Sequence, residues 1–136
     1  MADANRTDLP TIEDETREYW DAAAGGRLLI ARCGSCERVH HYPRVMCPFC
    51  WSEDVTAVEA SGRATLYTYS TVYVNDLPPF KGRLPYTAAV VELEEGPRLM
   101  TTIVAAEPPQ LRIGMPLIAQ AVQITDGVTT FAFRPA

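Results

Sequence analysis

The sequence has no long apolar run and no excess of positive charge. None of its apolar stretches approaches the roughly 20 residues that a transmembrane helix requires. Its first 20 residues are acidic and lack the apolar core of a signal peptide, so we expect a cytoplasmic protein whose thiols stay reduced. Basic residues number 12 against 17 acidic ones, which argues against binding nucleic acid through a broad cationic surface.

The charge is unevenly distributed along the chain. Residues 1–26 hold seven acidic and two basic residues and so carry the whole net charge of −5. Residues 27–136 contain equal numbers of acidic and basic residues. A length of 136 residues and a hydrophobic share of 47% fit one globular domain or a small core with an attached module. We therefore expect an acidic arm, loose over residues 1–10, on a neutral body.

All four cysteines fall in the short segment "CGSCERVHHYPRVMCPFC". Cys33 pairs with Cys36 and Cys47 with Cys50 as two CxxC motifs separated by ten residues. Two CxxC turns that face each other supply the tetrahedral set of sulfurs that Zn²⁺ prefers. The spacing predicts one zinc ion per chain bound by these four residues. Its role is structural, because four thiolates leave no open position for catalysis.

Other interpretations of the cysteines were weighed. Two disulfides would need an oxidising compartment, and a redox pair of the thioredoxin type would need a single CxxC at a strand–helix junction. A histidine at 40 or 41 could replace one cysteine as a ligand, although four cysteines already suffice. Arg32, Arg38 and Arg44 flank the site and either offset its negative charge or are simply solvated.

The only histidines, His40 and His41, lie between the two CxxC motifs. A histidine pair suggests acid–base chemistry, but no serine, further cysteine or pair of carboxylates nearby completes a catalytic set. We therefore predict a surface or partner-contacting role for both histidines, and no catalytic residue in this chain.

The segment "TIEDETREYWDAAAGG" predicts a helix over residues 12–24. Thr11 is placed to cap its amino terminus, and Gly25 with Gly26 is placed to end it. Tyr19 and Trp20 belong to its apolar stripe. Because the sequence predicts no second helix, we expect this stripe to contact another protein or to cap the cysteine-rich segment.

The remainder of the chain reads as short strands. Asp126-Gly127 is a strong hairpin signal. The predicted strands are "RLLIARC", "VTAVEA", "RATLYTYSTVYV", "YTAAVVEL", "RLMTTIV", "PLIAQAVQI" and "VTTFAF". In the third of them, Tyr67, Tyr69 and Tyr73 share one face, for which half-buried packing is favoured over contact with a ligand or partner.

These segments predict a mainly β fold in three parts. Residues 1–26 form the acidic arm and the N-terminal helix, 27–60 a zinc ribbon, and 61–136 a Greek-key β-barrel of the OB type. A small β-sandwich is the alternative for the third part.

The order of the motifs resembles a known family over roughly residues 11–135. The helix ends near "YW", the double CxxC segment follows, and then come "SGRATLYTYSTV", "LPY" and "LRIGMPL". This order is similar to that of the zinc-ribbon/OB-fold accessory proteins associated with thiolase-like acyl-CoA enzymes. Glu37 departs from the family pattern, since many such ribbons have glycine after the second cysteine.

The resemblance implies a rubredoxin-like zinc ribbon, an OB barrel and a partner enzyme. It implies a non-catalytic subunit of a thiolase-superfamily complex, of the thiolase, aldolase or acyltransferase type, that stabilises a partner acting on acyl-CoA substrates in lipid metabolism. The nucleophile and bases would then belong to the partner. The alternatives are a zinc-ribbon/OB protein that binds single-stranded nucleic acid, and an enzyme that acts alone.

The loop "NDLPPFKGRLPY" is a candidate contact for coenzyme A. Lys81 and Arg83 could meet its phosphates and Phe80 its adenine, because cationic side chains pair strongly with phosphate oxygens. The alternative is an ordinary solvated loop.

Overall fold

The structure is a computed structural model that describes residues 7–136. Of the arm predicted to be loose over residues 1–10, the first six lie outside the described residues. The described part consists of α1 (Arg17–Ala24), β1 (Leu29–Cys33), β2 (Val39–His40), β3 (Val55–Glu59), β4 (Arg63–Val72), β5 (Tyr86–Leu93), β6 (Arg98–Ile103), β7 (Pro116–Thr125) and β8 (Val128–Pro135), with 3₁₀ turns at Phe80–Arg83 and Pro108–Gln110. Within residues 7–136, no helix is long and apolar enough to cross a membrane.

Helix α1 begins at Arg17, five residues later than predicted. The backbone N–H of Thr16 donates to the carbonyl of Glu13 at 3.0 Å, and the Thr16 hydroxyl accepts from the Glu13 N–H at 3.1 Å. These bonds close a separate turn ahead of the helix, so Thr16 and not Thr11 occupies the cap position. The predicted end is confirmed, because the Gly25 N–H returns to the carbonyl of Ala22 at 3.0 Å.

The apolar side of α1 is covered by the chain itself. Ala22 and Ala23 are buried, and Tyr19 packs against the main hydrophobic cluster. The helix contacts β8, β1 and β7. It therefore lies across the junction between the ribbon and the barrel.

Strands β2, β1 and β3 form a three-stranded antiparallel sheet in that order. Ala31 in β1 pairs with His40 on one side and with Ala57 on the other. The two-residue strand β2 was not predicted, since two residues show no alternation. The sheet carries the cysteine-rich segment at its end, because β1 terminates at Cys33.

The remaining strands close into a five-stranded barrel in the order β4-β5-β6-β8-β7, which confirms the predicted mainly β fold with an OB-type barrel. Neighbours are antiparallel except β6 and β8, which pair in parallel through Ile103 and Phe133. The strand ladder has one position along this seam, where the Val104 N–H donates to the carbonyl of Phe133 at 2.8 Å, and the Thr101 hydroxyl donates to the carbonyl of Phe131 at 2.9 Å. Helix α1 contacts β8.

One hydrophobic cluster spans the barrel and the start of the ribbon. Leu66, Val91, Leu117 and Phe133 are almost completely buried at its centre. It also includes Leu28 and Ile30, next to or within β1. Ribbon and barrel therefore share a core. The exact boundaries at 26/27 and 60/61 stay predictions.

Burial alternates along β5, but the alternation predicted for residues 63–74 fails within β4. The pairing register of β4 shifts between Leu66 and Thr68, where a β-bulge leaves Tyr67 unpaired. Tyr69 consequently packs against the core, whereas Tyr67 and Tyr73 are 47% and 71% exposed. The three tyrosines do not form the predicted single face. The register shift at Tyr67 separates its direction from that of Tyr69, and Tyr73 lies beyond the end of β4 at Val72.

The arm is not loose at residues 7 and 8. The Thr7 hydroxyl donates to the carbonyl of Pro78 at 2.8 Å, and Asp8 binds the guanidinium of Arg83 at 3.1 Å. Residues 7 and 8 of the acidic arm are thereby bound to the loop between β4 and β5.

Candidate metal centre and adjoining surfaces

The two CxxC motifs form matching turns, or knuckles. In the first, the N–H of Glu37 donates to the carbonyl of Cys33 at 2.9 Å; in the second, the N–H of Trp51 donates to the carbonyl of Cys47 at 2.9 Å. In each knuckle the first cysteine also donates its N–H to the carbonyl five residues later, at 3.0 and 2.8 Å. Glu37 and Trp51 are therefore equivalent positions.

Backbone N–H groups point at the sulfurs within each knuckle. Ser35 and Cys36 donate to Cys33 Sγ at 3.3 and 3.5 Å, and Phe49 donates to Cys47 Sγ at 3.4 Å. The bond from Cys36 is the largest contribution that lowers the pKa of the Cys33 thiol, to about 6, against the opposing effect of burial. The N–H bonds thus favour the thiolate form of Cys33, whereas the neighbouring sulfurs raise the pKa of Cys50; thiolate is the form that binds metal.

The four sulfurs lie within 4.8 Å of one another. Cys33 Sγ is 3.6 Å from Cys50 Sγ, and Cys36 Sγ is 3.7 Å from Cys47 Sγ. A zinc ion at the centre of a tetrahedron, with bonds of about 2.3 Å, would hold its sulfurs about 3.8 Å apart. The arrangement therefore fits one structural zinc ion.

The arginines that flank the cluster differ in their contacts. Arg32 forms an exposed ion pair with Glu37 at 3.7 Å. The Arg38 guanidinium lies over the ring of Phe49, 4.9 Å from its centroid. These two arginines are thus engaged with neighbouring side chains, and Arg44 is exposed.

Both knuckles end in a residue with left-handed backbone geometry, with φ of 64° at Glu37 and 65° at Trp51. This conformation costs a residue other than glycine on the order of 1 kcal/mol. The departure from glycine at Glu37 therefore leaves the turn intact but strained. At Trp51 the same strain accompanies a side chain that is 76% exposed.

An apolar surface covers the second knuckle and the loop before it. We call it the knuckle patch; its members are Tyr42, Val45, Met46, Phe49 and Trp51, which are between 41% and 76% exposed. Sequence reasoning missed this patch. The available signal was the density of large apolar residues between 42 and 51 in a ribbon too small to bury them.

The prediction that the histidines lie at the surface is wrong, because His40 and His41 are only 7% and 8% exposed. The His41 ring lies 4.3 Å from the ring of Tyr42 and 5.9 Å from that of Tyr19. Within residues 7–136, its Nδ1 and both ring nitrogens of His40 have no hydrogen-bond partner. Burial, helped by His40, lowers the pKa of His41 to about 4. Burial, helped by Arg44, also lowers the pKa of His40.

The loop proposed to contact coenzyme A forms the 3₁₀ turn Phe80–Arg83, which brings the three predicted residues together. Arg83 is held by Asp8 at 3.1 Å and lies 5.5 Å from the centroid of the Phe80 ring. Phe80 also leans against Tyr86, and Lys81 is exposed. One of the two predicted cations is thus already paired with a carboxylate.

A half-open aromatic cleft of about 260 Å³ lies between α1, the segment after β2 and the barrel. Its lining includes Tyr19, Trp20, His41, Met100 and Phe131. Sequence reasoning missed this cleft, since its walls come from segments about 110 residues apart.

Two family models match this chain. The model described as "ChsH2, rubredoxin-like zinc ribbon domain" matches residues 20–56, and the model described as "ChsH2, C-terminal OB-fold domain" matches residues 57–122.

The similar proteins include relatives of comparable length and relatives that are much longer than this chain. A "DUF35 domain-containing scaffold protein" of Methanocaldococcus jannaschii is 35% identical over 112 residues, which is 79% of each chain. A "Probable enoyl-CoA hydratase alpha subunit" of Thermomonospora curvata is 37% identical over 93% of this chain, but the match spans only 39% of that protein. Among solved structures, a chain of "Ltp2-ChsH2(DUF35) aldolase" superposes with a TM-score of 0.82 at 36% identity, covering 93% of this chain and 98% of that one.

We expect purified protein to retain about one zinc ion per chain after washing with a mild chelator. Joint replacement Cys47→Ser and Cys50→Ser should remove the metal and unfold the ribbon, because metal binding supplies much of the folding free energy of so small a unit. Elemental analysis and far-UV circular dichroism measure the two effects. Ser35→Ala is the matched control and should keep its zinc. Zinc retained in full by the double variant would contradict the ligand assignment.

Stability should fall as the pH drops from about 6.5 towards 4. In this range the unfolded state protonates His41 and the folded state does not, so acid favours unfolding, and the full effect is up to about 3 kcal/mol. Urea unfolding between pH 5 and 7, with zinc supplied in excess, measures the slope. Acid also protonates the cysteine ligands and weakens zinc binding, so a slope remains in every variant that holds the metal. His41→Phe should reduce the slope relative to wild type, and an unchanged slope in that variant would show that His41 does not contribute.

Proposed function

Because this chain belongs to the zinc-ribbon/OB-fold family of ChsH2 and the DUF35 scaffold proteins, we propose that it is a non-catalytic accessory subunit of an enzyme complex acting on acyl-CoA. The partner we propose is a thiolase-superfamily enzyme, of the thiolase, aldolase or acyltransferase type. The observation that carries the proposal is the agreement, at a TM-score of 0.82, with nearly the whole of a chain from an aldolase that is named as a pair of components.

The chemistry of the site supports an accessory role. We propose Cys33, Cys36, Cys47 and Cys50 as the zinc ligands, and four thiolates complete a tetrahedral shell. When bound, the metal would supply folding free energy to the ribbon. None of the four cysteines forms a disulfide, which agrees with a reducing compartment such as the cytoplasm.

The histidines are poorly placed for proton transfer to a substrate. His40 and His41 are buried, and burial holds the pKa of each below its ordinary value. A general base needs a hydrogen-bond path to the proton that it abstracts. We therefore assign the bond-making chemistry to the partner.

A direct contact with coenzyme A is a finer part of the proposal. Lys81 is exposed at the turn Phe80–Arg83 and is the only lysine in the chain. Arg83 would have to leave Asp8 to meet a phosphate, whereas Lys81 would not have to break that ion pair. Lys81 is consequently the stronger candidate of the two cations.

The charge distribution on the barrel disfavours the nucleic-acid alternative. Three of its arginines are paired with carboxylates: Arg63 with Glu94, Arg83 with Asp8 and Arg98 with Glu92, at 3.0 to 3.1 Å. A groove that binds single strands needs cations available for phosphates. An accessory role in protein assembly makes no such demand.

Co-expression tests the accessory role. We expect the thiolase-superfamily enzyme encoded nearest to this chain to co-elute with it in size-exclusion chromatography and to turn over acyl-CoA as the complex. Expressed without this chain, the enzyme should be less soluble or less active. An enzyme that is fully soluble and active alone, and that does not co-elute at micromolar concentration, would refute the accessory role.

Steady-state kinetics of the complex test the coenzyme A contact. Lys81→Ala should raise the KM for acyl-CoA about tenfold with little change in kcat, since one charge-assisted bond to the substrate is lost. Lys81→Arg should restore most of the affinity, and Arg112→Ala, a change at an exposed arginine outside the turn, is the control. If Lys81→Ala leaves KM unchanged, the loop does not bind coenzyme A.

A further inference from the structure

We propose that the knuckle patch is the surface through which this chain docks onto its partner enzyme, with the Trp51 indole inserted in an apolar socket on that enzyme. This inference rests on the proposed function, because the occupant is the enzyme subunit proposed above. It adds the location and the chemistry of the interface.

The backbone at Trp51 supplies the first argument. Its φ of 65° closes the second knuckle, and its N–H donates to the carbonyl of Cys47 at 2.9 Å. Glycine would form the same turn and the same hydrogen bond without a strained Cβ. The identity of this residue is therefore not explained by the requirements of the turn.

The side chain of Trp51 supplies the second argument. It is 76% exposed, so its apolar surface contributes little to the folding free energy of the isolated chain. The strained backbone and the exposed indole both raise the free energy of the unbound protein. Strain at a position that the fold does not require points to function, and tryptophan is among the residues most enriched in the energetic centres of protein interfaces.

The surroundings of Trp51 extend the same surface. Of the eleven exposed large apolar side chains in the described part of the chain, five lie between residues 42 and 51. They are aromatic, methionine and valine side chains, and aromatics and methionine are typical of interface cores. A concentration of this kind in one loop marks an interaction surface more than scattered exposure would.

Charge defines the chemistry of the socket. Residues 38–51 contain two arginines and no acidic residue, in a chain whose net charge is −5. The contact of Arg38 with the Phe49 ring keeps its guanidinium beside the patch, and Arg44 is exposed within the same loop. Glu15 of this chain lines the same surface beside Arg44 and offsets part of this charge. The complementary surface on the enzyme is therefore an apolar socket whose rim carries a carboxylate.

The chain contains its own matched control, because Glu37 occupies the same backbone position in the first knuckle. In the full chain, Trp51→Gly should keep its zinc and melt at the same temperature or a few degrees higher, while its affinity for the enzyme that co-elutes with wild type falls at least tenfold. Glu37→Gly relieves the same strain and should leave the affinity within about twofold. Calorimetry and thermal melting measure both variants.

Arg44→Glu tests the charged rim. It should weaken binding and reduce the sensitivity of the affinity to salt, since a pairing with carboxylates would be lost. If Trp51→Gly proves unstable, Trp51→Asn replaces it, because asparagine tolerates the left-handed conformation better than most residues.

The outcomes separate this inference from the proposed function. If wild type binds the enzyme and Trp51→Gly binds equally well, the knuckle patch is not the interface and the accessory role stands. If wild type itself does not bind, the accessory role fails first. The inference is also overturned if wild type self-associates through the patch, and Trp51→Gly becomes monomeric while its affinity for the enzyme is unchanged.

Discussion

The close approach of four cysteine sulfurs is the constraint on which the rest of this structure depends. The sulfurs of residues far apart in the ribbon, such as Cys33 and Cys50, lie 3.6 Å apart, and a hydrophobic core could not hold thiolates this close without a cation. The constraint reaches beyond the ribbon. Strand β1 ends at Cys33 and begins next to Leu28, which packs in the same cluster as the barrel residue Leu66. The orientation of the metal centre is thereby tied to the barrel core.

Stabilisation by metal also explains where the exposed apolar residues lie. A unit that folds by burying side chains must turn its large apolar residues inward, whereas the knuckles are held by sulfur ligands and by N–H bonds to sulfur. Residues such as Phe49 and Trp51 are then available at the surface. Stabilisation by metal and an apolar docking surface are compatible in this ribbon, because the metal is bound by cysteine side chains and the surface is formed by other, apolar side chains.

The junction between the ribbon and the barrel depends on packing by helix α1 and His41. The β6–β8 seam has one ladder position, Ile103 with Phe133, and α1 contacts β8. His41 lies between the helix and the ribbon, in contact with the rings of Tyr19 and Tyr42. A neutral imidazole in this place joins the parts by packing, and its protonation would put an unpaired charge there. Acid therefore destabilises the junction between ribbon and barrel.

Local chemistry in the sequence determined the features that depend on neighbouring residues. The two CxxC spacings predicted the sulfur cluster and Asp126-Gly127 predicted the β7–β8 turn, because each follows from geometry within a few residues. Tertiary structure decided what depends on distant segments. The bulge at Tyr67 follows from how β4 pairs with β5, and the engagement of Arg83 depends on Asp8, 75 residues away. The burial of the histidines and the exposure of the knuckle patch likewise depend on which surfaces the barrel and helix cover, and no local pattern encodes that.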